Sequence, residues 1–178
     1  MVAVLRQTDF VVTSLVNSLL PHHKVLDLVF SFLSLEGAFL IVWLVFLAPL
    51  LYFVAIRQKR FLPSFFFASL FTFLVTNVFL KRLIARRRPY LFLKNLPGFC
   101  PTDFSFPSGH ASVAFAAAFV LSYFDKKRAL YYYILAFLIA LSRVYLGCHY
   151  VLDVVSGALL GVIVAFFTIK ISELYLRK

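Results

Sequence analysis

The chain has 178 residues, of which 63% are hydrophobic, and it carries a net charge of +11. Soluble globular domains are about 45–50% apolar, so this composition excludes an ordinary soluble domain and indicates an all-α integral membrane protein. The basic excess in so apolar a chain points to membrane lipids and an anionic substrate as partners. Nucleic acid is the weakest candidate, and no nucleic-acid-binding motif is present.

In chain order, the first apolar stretch is Phe10–Leu20, interrupted by Thr13, Ser14, Asn17 and Ser18. With Arg6 as its one positive flank, it does not read as a cleavable signal peptide. Val25–Leu35 follows after Pro21, His22, His23 and Lys24. Both stretches fall short of the ~20 apolar residues that a spanning helix needs. They read as interfacial amphipathic helices, the alternative being one tilted span around Val25–Phe46.

Gly37–Ile56 and Phe61–Leu80 are uncharged and long enough to span, and each is stopped by basic residues: Arg57, Lys59 and Arg60 after the first, Lys81 and Arg82 after the second. Ala111–Phe124 reaches spanning length only if its helix begins near Ser108. Ala129–Leu146 does so only by including Arg143, and Val151–Ile169 only by including Asp153. The expected fold is a helical bundle of five, possibly six, transmembrane helices. It forms a single domain over 1–178, with 1–36 as an interfacial N-terminal segment and 37–178 as the transmembrane core.

The polar segment between the second and third spans, Ala85–Pro107, is stiffened by Pro89, Pro97, Pro101 and Pro107. With five spans, the lysines and arginines divide nine and nine between the two membrane sides, so their distribution alone does not set the topology. One group is concentrated around this loop, beside two histidines. Assigning those charges to a substrate removes them from the count, makes the other side cytoplasmic and turns the loop outward.

Alternating span direction brings several groups to the loop side. Lys81 and Arg88 are two helical turns apart, with Pro89 ending any helix just before Arg88. Pro107-Ser108-Gly109-His110 opens the third span, where unpaired backbone N–H groups and the positive helix end favour an anion. Arg143 closes the fourth span. His149 opens the fifth, with Asp153 four residues on, able to accept from one ring nitrogen and leave the other nucleophilic. Three cations, an anion-ready helix start and two histidines are what phosphoryl transfer needs. The cations stabilise the equatorial oxygens, one imidazole attacks phosphorus and the other protonates the departing oxygen.

"KRLIARRRP" (Lys81 to Pro89), "PSGH" (Pro107 to His110) and "SRVYLGCHYVLD" (Ser142 to Asp153) resemble the three signature motifs of the type 2 phosphatidic acid phosphatase superfamily: K-x6-R-P, P-S-G-H and S-R-x5-H-x3-D. All three match in full and in order. The resemblance implies a metal-independent membrane lipid phosphatase with no cofactor. It implies His149 as the nucleophile that forms a phosphohistidine, Asp153 as its orienting carboxylate, and His110 as general acid and then base. Lys81, Arg88, Ser108, Gly109 and Arg143 would be phosphate ligands. The sequence shows no carboxylate cluster near these motifs to hold Mg²⁺.

Small chains of this pattern look like bacterial enzymes of the cytoplasmic membrane with an outward-facing site. Their substrates are undecaprenyl diphosphate, phosphatidylglycerophosphate, phosphatidic acid or a lipid A phosphate, with the polyprenyl diphosphate ranked first here. Two other readings stay open: a lipid phosphotransferase using the same histidine, and a non-enzymatic bundle that only binds anionic lipid.

Arg143 has a plainer reading as a snorkelling side chain. Arg82, Arg86 and Arg87 are read that way, or as headgroup contacts, and are left outside the core site. His22 and His23 match no motif and read as interfacial. Cys100 and Cys148 both fall on the outer, oxidising side, where a bridge would pin the loop beside His149. The sequence reading favours free thiols instead, with Cys148 packing at a helix start. Nothing in the sequence fixes the oligomeric state.

Overall fold

The computed structural model describes residues 2–34, 52, 58–92 and 100–175. Apart from Tyr52, the expected span Gly37–Ile56 lies outside them. Among the described residues the regular elements are all helical: α1 (Val2–Leu19), α2 (Lys24–Ser34), α3 (Phe61–Ile84), α4 (Gly109–Phe124), α5 (Ala129–Tyr145) and α6 (Val151–Tyr175). The protein is an integral membrane protein. Three stretches, Phe61–Ile84, Lys126–Tyr145 and Val151–Leu174, are long and apolar enough to cross a bilayer, with α4 as a shorter apolar helix. Their outward faces are greasy, with Phe71, Phe79, Leu83, Leu130, Phe137, Leu159 and Phe167 exposed.

α4 is the central helix. Its 16 residues span only about 24 Å, but it is wrapped by α3, α5 and α6. The sequence explains why it can be enclosed. Ala111, Ala114, Ala116, Ala117 and Ala118 are all buried, and small side chains let neighbouring helices approach closely. α6 answers with Gly157 and Gly161, one turn apart. A Cβ at Gly161 would sit 1.9 Å from the Ser112 carbonyl oxygen, and one at Gly157 would sit 2.6 Å from that of Ser108. The two backbones therefore touch, which fixes the start of α4 against the start of α6.

α3 runs past Leu80, where its apolar stretch ends, to Ile84. It contains a π-helical segment over Leu74–Leu80, a feature that often marks functional sites. The segment turns Thr76 toward α4, where its hydroxyl donates to Ser112 Oγ at 3.0 Å. The helix stops at Ala85, which sits in the left-handed region at φ 48°. Arg88 is extended, as the proline after it predicts, so it shares no helical face with Lys81.

α1 begins at Val2, well before the apolar stretch Phe10–Leu20. Asp9, Thr13 and Asn17 lie four residues apart and form one polar stripe. That stripe faces the protein, while Val4, Leu5, Val11, Leu15 and Leu19 are exposed. Asn17 donates to the carbonyls of Val144 and Tyr145 at the end of α5, at 3.1 and 2.8 Å. α2 packs on the same end of α5, where Tyr145 donates its hydroxyl to Asp27 at 2.5 Å.

Candidate active site

The site is built where α3 ends, α4 begins, α5 ends and α6 begins. Gly147 takes φ 67° after α5, a conformation suited to glycine. The turn it makes delivers Cys148 and His149 inward before α6 starts at Val151. Lys81, Arg88, Ser108, Arg143, His149 and Asp153 are all buried, and His110 and Gly109 are half-buried.

Arg88 is the hub. Its Nε donates to the Asp103 carbonyl at 2.8 Å and its Nη1 to the Cys148 carbonyl at 2.9 Å. Nη1 also lies 3.0 Å from His149 Nε2. A guanidinium can only donate, so Nε2 accepts and the proton of the neutral ring resides on Nδ1. That nitrogen faces Asp153 Oδ2 at 3.6 Å, an ion-pair distance rather than a hydrogen bond. Burial, joined by the positive fields of Arg88, Arg143 and Lys81, holds the His149 imidazole well below its ordinary pKa. The ring is therefore neutral, with its lone pair turned toward Arg88.

Ser108 caps α4, with its hydroxyl accepting from the Ala111 N–H at 3.5 Å, and its own N–H donates to the Asp153 carbonyl at 2.9 Å. The amides of Gly109 and His110 follow at the positive end of the helix. Arg143, Lys81 and Arg88 are the cations close enough to act on His110. Arg143 donates from Nη1 to the Ser34 carbonyl at 2.9 Å, at the end of α2. All eight residues singled out in the sequence thus lie at one end of the bundle.

Two carboxylates that the sequence reading did not single out, Asp103 and Asp9, also converge there, each paired with a cation. Asp103 pairs with both Lys81 and Arg88. Partial burial pushes its carboxyl up, but the hydrogen bond to Lys81 and the charges of Arg88 and Lys81 outweigh this and hold it below the ordinary carboxylate value. Arg86 donates to Asp153 Oδ1 from Nη1 and to Asp9 Oδ2 from Nη2, both at 2.7 Å. Arg86 was set aside as a surface cation, yet it reaches into the site. The i, i+4, i+8 polar stripe of α1 was the available signal for Asp9. For Asp103, no local signal existed.

Cys100 and Cys148 form a disulfide, with a Cα–Cα distance of 5.2 Å. This corrects the free-thiol reading, because the fold brings together two positions 48 residues apart. The bridge ties the loop that carries Asp103 to the residue preceding His149. A separate recess of about 350 Å³ lies at the opposite end of the bundle, lined by Arg60, Phe124 and Glu173 among others, and contains none of the motif residues.

Fold and site together define a helical membrane protein whose polar end gathers cations, histidines and a helix N-terminus around a place for an anion. The PAP2 superfamily model matches residues 62–176, and the chain belongs to that superfamily. It is 37% identical over 98 residues to an undecaprenyl-diphosphatase of Sulfolobus acidocaldarius, covering 52% of this chain and 47% of that protein. It is 38% identical over 105 residues to phosphatidylglycerophosphatase B of Bacillus subtilis, covering 53% and 49%. The chain spans about half the length of these curated relatives. Among solved structures, LpxE of Aquifex aeolicus superposes with a TM-score of 0.69 at 31% identity, covering 89% of this chain and 93% of that one. A transmembrane PAP2-type phosphatidylglycerolphosphate phosphatase from Bacillus subtilis does so with a TM-score of 0.68 at 25% identity, covering 97% and 88%.

Proposed function

We propose that this single-domain protein is a metal-independent lipid phosphatase working through a phosphohistidine. The observation that carries the reading is the disposition of His149: Nε2 lies beside Arg88 at 3.0 Å, and Nδ1 faces Asp153 at 3.6 Å. In the first step the Nε2 lone pair attacks phosphorus, a P–N bond forms and the P–O bond to the leaving group breaks. His110 gives its proton to the departing oxygen. In the second, His110 takes a proton from water, the resulting oxygen attacks phosphorus, and the P–N bond breaks to release phosphate. Lys81, Arg88 and Arg143 balance charge on the phosphoryl oxygens, and Ser108 with the Gly109 amide orients them at the helix start.

The substrate is a lipid phosphate or diphosphate, whose headgroup meets the polar end while its tail stays in the bilayer. Relatives named as undecaprenyl-diphosphatase, phosphatidylglycerophosphatase B and lipid A 4'-phosphatase support that class. We rank a polyprenyl diphosphate first and place the site on the outer face of a bacterial cytoplasmic membrane.

The test is phosphate release in detergent with EDTA from undecaprenyl diphosphate, phosphatidylglycerophosphate and phosphatidic acid. The reading expects release by the wild type that is lost in His149→Ala and His110→Ala. Release that survives His149→Ala contradicts it.

A further inference from the structure

The N-terminal helix closes on the catalytic end through two charges, Asp9 and Arg86, that the proposed mechanism does not use. Asp153 is fully buried, and a buried carboxylate needs a partner. Its Oδ2 accepts from the Tyr150 N–H at 3.0 Å and faces His149. Its Oδ1 accepts from Arg86 at 2.7 Å. The plane of the carboxylate, and hence the oxygen turned to the imidazole, is set by Arg86 from one side and Tyr150 from the other.

Arg86 is in turn fixed on three sides. Nη1 is on Asp153, Nη2 is on Asp9 at 2.7 Å, and the guanidinium carbon lies 3.8 Å from the centroid of the Tyr150 ring, a cation–π distance. Asp9 is buried and spends its other oxygen on the Leu152 N–H at 3.0 Å, while Thr13 accepts from the Val151 N–H at 3.0 Å. The first amides of α6 are therefore capped by side chains of α1, not left for an anion.

From this we infer that Arg86 and Asp9 are positioning residues of the reaction, which makes α1 part of the catalytic apparatus. The inference rests on the proposed role of His149 as nucleophile. As Nε2 bonds phosphorus, the ring that keeps its Nδ1 proton becomes cationic. One Arg86 alone would neutralise Asp153 and cancel its help to that cation. With Asp9 on its second arm, the Asp153–Arg86–Asp9 group keeps a net charge of −1, and its free face is toward His149. Asp9 thus supplies the charge balance, and Arg86 the aim.

The test uses full-length protein in detergent and whichever of undecaprenyl diphosphate, phosphatidylglycerophosphate and phosphatidic acid the wild type turns over fastest. Asp9→Asn is expected to lower kcat by roughly tenfold, the scale on which outer partners act on the groups they orient, with KM unchanged. In an Asp153→Asn background, Asp9→Asn should cost nothing further, because the two act through one carboxylate. A purely architectural Asp9 would give the same loss in both backgrounds, or a loss of folded protein without a change in kcat, and either result overturns the inference.

Should Asp9→Asn not be recovered folded, Arg86→Lys reads the same link. One ammonium cannot serve both carboxylates as the fork does, so kcat should fall at unchanged KM, and less than in Arg86→Gln. An unchanged kcat in Arg86→Lys overturns the inference. Wild-type turnover that is lost in His149→Ala, alongside unaffected Asp9 and Arg86 variants, removes this inference alone. Turnover that persists in His149→Ala removes it together with the mechanism on which it rests.

Discussion

Arg88 donates to Nε2 of His149 across 3.0 Å, so the imidazole nitrogen turned toward Arg88 presents a lone pair and not a proton. On the proposed mechanism, the nucleophile and one of its phosphate ligands thus hold each other's orientation before any substrate arrives.

Asp103 pairs with the same two cations that a phosphoryl group would need, and its side chain is 47% exposed. On the proposed assignment of Lys81 and Arg88 as phosphate ligands, a substrate must displace this carboxylate. Solvent at the Asp103 side screens both pairs toward the exposed-pair scale of up to about 1 kcal/mol, so Asp103→Asn should lower KM for a lipid phosphate by up to roughly fivefold. Steady-state kinetics on the two proteins checks this. A raised KM would mean that Asp103 organises the cations and does not compete for them.

The depressed pKa of His149 also makes stability pH-dependent. The unfolded ring takes up a proton near its ordinary value of about 6.5, while the folded ring resists. The unfolded state therefore binds more protons, and stability falls as pH drops below about 6.5. Melting temperatures in detergent should decline from pH 7.5 to 5.5 (roughly one unit either side of that value), and His149→Gln should flatten the decline. Asp103 does not contribute in this window. Its depressed carboxyl stabilises the fold above its unfolded value of about 3.9, and that contribution is lost only below it.

Gly161 packs its α-carbon on the Ser112 carbonyl, where a Cβ would sit at 1.9 Å. Gly161→Ala must push α6 from α4, at a cost of about 1–3 kcal/mol for overpacking. The displacement also moves Asp153 relative to Ser108, whose backbones are hydrogen-bonded at 2.9 Å. Thermal unfolding and kcat should fall together. A Gly161→Ala protein with wild-type stability would contradict the backbone contact.

The Cys100–Cys148 bridge closes a 48-residue loop, for which chain entropy gives about 4 kcal/mol. Helices that persist in the unfolded state within detergent reduce that figure. Reduction, or Cys100→Ser, should lower the melting temperature. It should also raise KM, because the Cys148 carbonyl accepts from Arg88 at 2.9 Å. A thiol count under denaturing, non-reducing conditions that finds two thiols refutes the bridge.

What the sequence disclosed follows the range of the interactions. Lys81, His110, His149 and Asp153 sit at helix ends, and alternating spans bring those ends together by topology alone. Arg86 was hidden because a cation beside a membrane helix reads as a snorkelling side chain, and its partners Asp9 and Asp153 are 77 and 67 residues away. Asp103 sits in a loop with no period to read. The disulfide depended on a Cα distance that only folding sets. α1 was legible as a helix, but its polar stripe looked like interruptions. The partners that the stripe faces, at the end of α5 and the start of α6, lie 127 to 143 residues away.

The most direct test of the central claim is to trap the phosphoenzyme. Detergent-solubilised protein is mixed with 32P-labelled lipid phosphate, quenched in alkali within one turnover and digested. The account predicts an alkali-stable, acid-labile label on the peptide containing His149, absent from His149→Ala. A wild type that turns over substrate while the label is absent, or sits on another residue, would contradict it.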